Sequence, residues 1–338
     1  MNNTLIHHKY CLKLIIFLFI TLMSTSILYM NCSAEVVQKN EDWPKRINIG
    51  AAPVGGTFYM AASALARVIS TRFPDIKVTV QVTNASKHNI QLIQAGELDI
   101  ALTSADYAYE AQKGIGSFEN NKQDKVYTLM PAYYSNYLFV TLQKNKIYSF
   151  RDLKGKKLDI NVVNGATNKF SRVVLEQLGM FQDVTITEMD ITNATRSLQQ
   201  GGIDALVIGH PAAAVLELSM SNPVRIFSLS EEDLKPFIER NPMYSIINMA
   251  GGYYKGQEEN VSLPGIYLSY ICHKDLPDDF VYALVKAMYE NNDLIASVLP
   301  IVAKSYSPET VVESKLPIHP GSIRYFEEIG IIIPEQLK

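Results

Sequence analysis

The chain has 338 residues, with 31 Lys+Arg against 34 Asp+Glu, a formal net charge of -3, and is 47% hydrophobic and 19% charged. This length fits one large domain or two medium ones, and the composition supports a sizeable core and excludes a disordered chain. The lack of a basic excess argues against a nucleic-acid partner, and three Cys without a CxxC pair argue against a zinc ribbon or a disulfide scaffold.

The N-terminus reads as an export signal. Lys9 and Lys13 are the only Lys, Arg, Asp or Glu residues before Glu35, and an apolar block runs from Leu14 to Leu22, followed by a mixed stretch to Met30. Cys32-Ser33-Ala34 then places small residues at the -3 and -1 positions of a cut before Glu35. A signal peptide over 1–34 and a periplasmic protein are expected. Two alternatives stay open. Leu14 to Met30 approaches the length of an uncleaved membrane anchor, and Cys32 is a lipidation candidate behind the bulky Tyr29-Met30-Asn31. Cleavage leaves Cys272 as the remaining thiol, in the apolar run Ile266 to Cys272, where a buried structural role is expected.

Arg46-Ile47-Asn48-Ile49 is a strand candidate that runs into the loop Gly50-Ala51-Ala52-Pro53-Val54-Gly55-Gly56-Thr57. A helix follows, with Leu65, Val68 and Ile69 at i, i+3, i+4. Ile76 to Val82 alternates as a strand, Ser86 suits the N-cap of a helix ending at Gly96, and Leu98 to Leu102 reads as a buried strand. The order then recurs. Lys157 to Val162 is a strand and Val163-Asn164-Gly165-Ala166-Thr167 a loop; the next helix carries Phe170, Val173, Val174 and Leu178 on one face and stops at Gly179. Val184-Thr185-Ile186 is a strand, Ala194 to Gln200 a helix, and Ile203 to Ile208 a strand. Gln94-Ala95-Gly96-Glu97-Leu98-Asp99-Ile100 and Gln199-Gln200-Gly201-Gly202-Ile203-Asp204-Ala205 share a helix end, a glycine stop, an apolar residue and an Asp. We therefore expect two α/β lobes, each a mixed, mostly parallel sheet flanked by helices. Tyr137 to Leu142 leads out of the first lobe and Tyr267 to Cys272 leads back, a two-strand hinge over a cleft. The expected bounds are 45–138 and 268–338 for lobe I and 139–267 for lobe II, with helical patterns at 278–290 and 291–303 in the return segment.

Gly50-x-x-x-x-Gly55-Gly56-Thr57 resembles a phosphate-binding loop, but Gly56 stands where that loop has its lysine. What remains is a glycine backbone that offers N–H groups to an anion at a helix start, which suits a carboxylate better than a nucleotide, or a tight turn. Phe58 and Tyr59 flank a ligand there or belong to the core, the latter being the stronger expectation for Phe58. Enzyme signatures are missing: there is no GxSxG, SxxK, HExxH or GxGxxG, and His88, His210, His273 and His319 lack metal-ligand spacing. No catalytic residue, metal or cofactor is expected. His210 follows the strand 203–208 and faces the cleft. Asp106 either caps a helix or receives a ligand's ammonium group. Tyr133, Tyr134 and Tyr137 either wall a pocket or pack the hinge.

In their shared order these segments resemble the TAXI-type solute-binding receptors of TRAP (tripartite ATP-independent periplasmic) transporters, from Ile47 to about Gly330. Ala51-Ala52-Pro53-Val54-Gly55-Gly56-Thr57-Phe58-Tyr59 is similar to the family's opening GTGGTYY-like loop. Asp99-Ile100-Ala101-Leu102 with Asp106-Tyr107-Ala108-Tyr109, Asp152-Leu153-Lys154-Gly155-Lys156-Lys157, and the closing Pro317-Ile318-His319-Pro320-Gly321 match later segments. Asn164-Gly165-Ala166-Thr167 matches its GSGT loop loosely. The resemblance implies a type II periplasmic binding protein, not an enzyme. It would close over a small carboxylate or amino-acid ligand, glutamate-like or a dicarboxylate, and hand it to the membrane subunits of a TRAP permease. It implies ligand contacts at Gly55, Gly56, Thr57, Tyr59, Ser104, Asp106, Tyr134, Gly165, Ala166, Thr167 and His210. Ser104-Ala105 before Asp106, Asn136 two places after Tyr134, and His210 depart from the family pattern and imply a shifted ligand preference. A binding protein of an ABC-type importer shares the fold and cleft, and a secreted hydrolase is the enzyme alternative.

Overall fold

The computed structural model describes residues 40–298 and 307–338. The expected signal segment 1–34 and the end of the helical pattern 291–303 lie outside the described residues. Among the described residues no helix is long and apolar enough to cross a membrane.

The chain opens with β1 (Arg46–Gly50), α1 (Thr57–Arg72), β2 (Lys77–Gln81), α2 (Ser86–Gln94), β3 (Ile100–Ser104) and α3 (Ala105–Lys113). A long strand, β4 (Val126–Leu142), leads to the same order again: β5 (Lys157–Asp159), α4 (Ala166–Gln177), β6 (Thr185–Thr187), α5 (Ile191–Gln200), β7 (Ala205–Gly209) and α6 (Ala213–Ser221). There follow β8 (Val224–Phe227), α7 (Glu231–Arg240), β9 (Tyr244–Met249), a second long strand β10 (Val261–His273), and the helices α8 (Asp278–Glu290), α9 (Asn292–Val298) and α10 (Pro320–Glu328).

The strands form one mixed sheet in the order β2-β1-β3-β10-β4-β7-β5-β6, with β8 also on β4 and β9 also on β10. The triplets β2-β1-β3 and β6-β5-β7 are parallel, as strand–helix–strand crossovers require. β10 and β4 run antiparallel to each other and join the triplets through β3 and β7. β4 changes partner midway: Val126 to Asn136 pair with β10, whereas Tyr137 to Thr141 pair with β7. Two half-sheets thus share β4, and the fold is mixed α/β with helices packed on its strands.

The repeated Asp explains why both triplets form alike. Asp99 Oδ2 accepts from Asn48 N at 2.7 Å, and Asp204 Oδ2 accepts from Lys157 N at 2.8 Å. Each carboxylate braces the central strand of its triplet. On α1, Leu65, Val68 and Ile69 are fully buried, worth about 1.5–3 kcal/mol each. On α4 the buried face is Phe170, Val174 and Leu175; Val173 and Leu178 are only half-buried.

Two boundaries differ from expectation for local reasons. β5 ends at Asp159 instead of Val162, because the Asp159 carboxylate accepts from Asn161 N at 3.0 Å while Asn161 turns the chain with φ 69°. Ser86 is the first residue of α2, and Ala85 stands at the N-cap with φ 62°. The Pro317–Gly321 segment docks the C-terminus. His319 N donates to Thr128 O and Thr128 N to Pro317 O, and His319 Nδ1 caps α10 by accepting from Gly321 N. A Cβ on Gly321 would lie 2.2 Å from Asp278 O, so only glycine lets α10 approach α8 this closely.

Candidate functional site

Two turns of the same build face each other. In Pro53-Val54-Gly55-Gly56, Gly56 N donates to Pro53 O at 3.2 Å and the third residue, Gly55, has φ +89°. In Val162-Val163-Asn164-Gly165, Gly165 N donates to Val162 O at 3.2 Å and the third residue, Asn164, has φ 68°. A turn with left-handed backbone at its third position takes Gly freely and Asn with little penalty. The turns open α1 and α4, whose N-caps Gly56 and Gly165 supply no side-chain acceptor. Ala85, the N-cap of α2, supplies none either, and none of these three helices has an acidic residue in its first turn. By contrast α5, α7 and α10 are capped by the side chains of Asp190, Ser230 and His319. An uncapped helix start keeps backbone N–H groups and a partial positive charge for an outside acceptor.

These three starts line one cavity of about 80 Å³, whereas α6, which also lacks a side-chain cap and a first-turn acid, opens outside it. Gly56, Thr57 and Phe58 contribute from α1, Ala85 and Ser86 from α2, and Gly165, Ala166 and Thr167 from α4. One face of β4 supplies Tyr133, Ser135 and Tyr137, and Ile191, Ile208 and Leu268 make apolar patches. Among the described residues no acidic or basic side chain lines it. The Tyr137 ring is fixed by stacking on Phe170 at 4.1 Å and an edge contact with Tyr244. Its hydroxyl is buried and has no hydrogen-bond partner among the described residues. Burial first, then the nearby Asp106 carboxylate, hold that hydroxyl well above the usual phenol range, so it stays a neutral donor.

The expected contacts divide by place. Gly56, Thr57, Gly165, Ala166 and Thr167 come together in this cavity. Gly55 lies outside it, beside Ile191 and Thr192 in a separate depression, because its left-handed conformation turns it outward from the turn. Tyr59 is half-buried on α1 and does not line the cavity; Phe58 does, the reverse of the expectation for Phe58. Tyr134 and His210 line a different groove with Asn136, Ile247 and Tyr253. Alternate residues of a strand face opposite sides, so Tyr134 points away from Tyr133, Ser135 and Tyr137. His210 Nδ1 is 2.9 Å from Tyr254 Oη, whose oxygen also accepts from Ala212 N. Burial pushes its imidazole down to about 4. Ala85, Ser135 and Asn161 also line the cavity and carry no signal of that in the sequence, apart from the tolerance of Asn for the φ of 69° at 161.

Ser104 and Asp106 are buried behind the cavity wall and do not line it. The Asp106 carboxylate accepts from Ser104 Oγ at 2.5 Å, Tyr107 N at 2.8 Å and Tyr244 Oη at 3.2 Å, and lies 3.4 Å from Lys169 Nζ. An internal ammonium thus stands where a ligand's ammonium was expected. Lys169 also pairs with Glu110 at 2.7 Å and sits 4.3 Å from the centre of the Tyr107 ring. These contacts join the two half-sheets, as do Lys87 N donating to Asn164 O at 3.1 Å and Thr57 Oγ1 donating to Pro211 O. Among the described residues no group of three or more His, Cys, Asp or Glu is placed to hold a metal ion.

Several solved structures are similar. The alkanesulfonate-binding protein SsuA from Xanthomonas axonopodis pv. citri bound to MOPS is 15% identical over 79% of this chain and 86% of that chain, with a TM-score of 0.48. A putative L-cystine ABC transporter from Listeria monocytogenes is 14% identical over 78% of this chain and 98% of that chain, with a TM-score of 0.49. An ancestral arginine-binding protein bound to arginine is 15% identical over 76% and 98%, with a TM-score of 0.47. The model of the NMT1-like family matches residues 49–330, which takes in both triplets except the first three residues of β1, both long strands and every cavity-lining residue, and the chain belongs to that family.

Proposed function

We propose that this chain is an extracytoplasmic solute-binding protein that captures a small organic anion between two lobes and passes it to a membrane permease. One observation carries the reading: three helix starts without side-chain caps, drawn from both half-sheets, meet at a small cavity whose lining has no carboxylate. An anion there takes backbone N–H groups together with the Tyr137 hydroxyl. The lobes in this reading are the two half-sheets, hinged where β4 and β10 pass between them. Binding favours the closed arrangement because only that arrangement presents donors from both sides. The TAXI-like segments at 51–59 and 99–109 favour a TRAP permease as the recipient; an ABC-type importer would use the same cleft.

Native mass spectrometry of freshly purified protein, followed by small-angle scattering with and without the recovered anion, tests this. The expected result is a small anion released unchanged on denaturation and a smaller radius of gyration when it is bound. An unchanged radius at saturating ligand, or a chemically altered product beyond one per protein, overturns it.

A further inference from the structure

Asp106, buried behind the cavity wall, and Glu110 stand one turn apart on α3 and are the carboxylates this helix could offer an ammonium group. Both are occupied by Lys169 Nζ, at 3.4 Å and 2.7 Å. The remaining acceptor sites of Asp106 are taken by Ser104, Tyr107 N and Tyr244. Lys169 belongs to α4, on the other half-sheet, so its ammonium reaches α3 only when the half-sheets meet. The cavity lining itself offers no carboxylate, and the three helix starts around it carry partial positive charge.

We propose that Lys169 is a built-in replacement for a ligand ammonium group, and that the substrate class is organic anions without an amino group. This rests on the receptor reading above and narrows it. A carboxylate gains from the helix starts and from Tyr137. A zwitterion gains the same contacts but brings an ammonium to a cavity whose lining has no carboxylate, while Asp106 behind the wall is already paired with Lys169, so its desolvation goes uncompensated. Lys169 is in this sense a specificity-determining residue: closure itself carries the competing charge into position.

The test is titration calorimetry on the full chain with three matched pairs: pyruvate and L-alanine, 4-methyl-2-oxopentanoate and L-leucine, 2-oxoglutarate and L-glutamate. In every pair that binds, the oxo acid is expected to bind at least tenfold more tightly than the amino acid. Lys169→Met, which keeps the stem length and frees Asp106, should shrink that ratio at least fivefold, whereas Lys169→Arg should keep it; a purely structural lysine would change overall affinity without moving the ratio. An amino acid that binds the parent protein as tightly as its oxo counterpart overturns the inference and leaves the receptor reading standing, as does an unchanged ratio in a folded Lys169→Met. Binding of no member of any pair counts against the receptor reading itself and removes this inference with it.

Discussion

Tyr137→Phe separates a binding hydroxyl from a structural one by the signs of two effects. The hydroxyl is 1% exposed as part of its residue and has no partner among the described residues. Burying a hydroxyl without a compensating bond costs about 1–3 kcal/mol. Stacking on Phe170 and the edge contact with Tyr244 hold the ring without help from the oxygen, so phenylalanine should occupy the same place. The free protein should therefore be as stable as the parent or more stable, by up to about 1–3 kcal/mol, a rise in Tm of a few degrees at this size. Binding should move the other way. A hydrogen bond to a charged acceptor contributes about 1.5–3 kcal/mol, so affinity for the anion should fall by about 10- to 150-fold. Thermal unfolding without ligand and calorimetric titration with the co-purified anion read the two signs separately. A variant that is clearly less stable yet binds as the parent does would refute the reasoning and make the hydroxyl a structural group.

Gly56→Val and Gly165→Val should fold after a small shift of their turns, since both N-caps have extended backbone near φ -87° and -84° but a Cβ would lie 3.3 Å from Pro53 O and 3.1 Å from Val162 O; both should lower the apparent affinity read as ligand-induced thermal stabilisation by about tenfold, because they crowd two of the helix starts that line the cavity. His210 is held neutral in the fold with a pKa pushed down to about 4, below the usual value near 6.5. The unfolded chain therefore binds the extra proton first as pH falls. Stability from this group is complete above about 6.5 and is lost by about 3 kcal/mol as pH drops to about 4, and chemical denaturation of His210→Gln should show a pH slope flatter by that amount. Burial pushes the Cys272 thiol far up, so in a chain begun at Glu35 a disulfide reagent should react with it only on unfolding; fast labelling of the native protein would contradict its burial.

The duplicated architecture was legible because it rests on local signals. Turn glycines and helix-face spacing act within a few residues, and the repeated glycine stop and Asp announce β3 and β7 locally, although Asp99 and Asp204 themselves brace β1 and β5 from 51 and 47 residues away. The first part of β4 contains Pro131, which weakens any strand signal in the sequence; in the structure Pro131 pairs with Ser269 at a register shift, where the regular ladder is already interrupted. Part of the cavity, the two helix starts at Gly56 and Gly165, is also legible through the paired turns. Selecting Tyr137 over Tyr134 required the orientation of β4, which only its partners β10 and β7 fix. The Asp106–Lys169 pair joins residues on α3 and α4 that no spacing rule connects, so a carboxylate that looked available in the sequence is taken in the fold.

A cavity walled by peptide N–H groups, hydroxyls and apolar side chains has no proton of its own to gain or lose near neutrality. Peptide dipoles keep their sign whatever the acidity of the medium, and the buried phenols stay protonated. Retention of a weak acid should then follow the ionisation curve of the acid alone. If the proposed receptor works in a compartment that shares the acidity of the cell's surroundings, this lining would hold its cargo unchanged through swings that would switch a histidine- or carboxylate-lined one on and off.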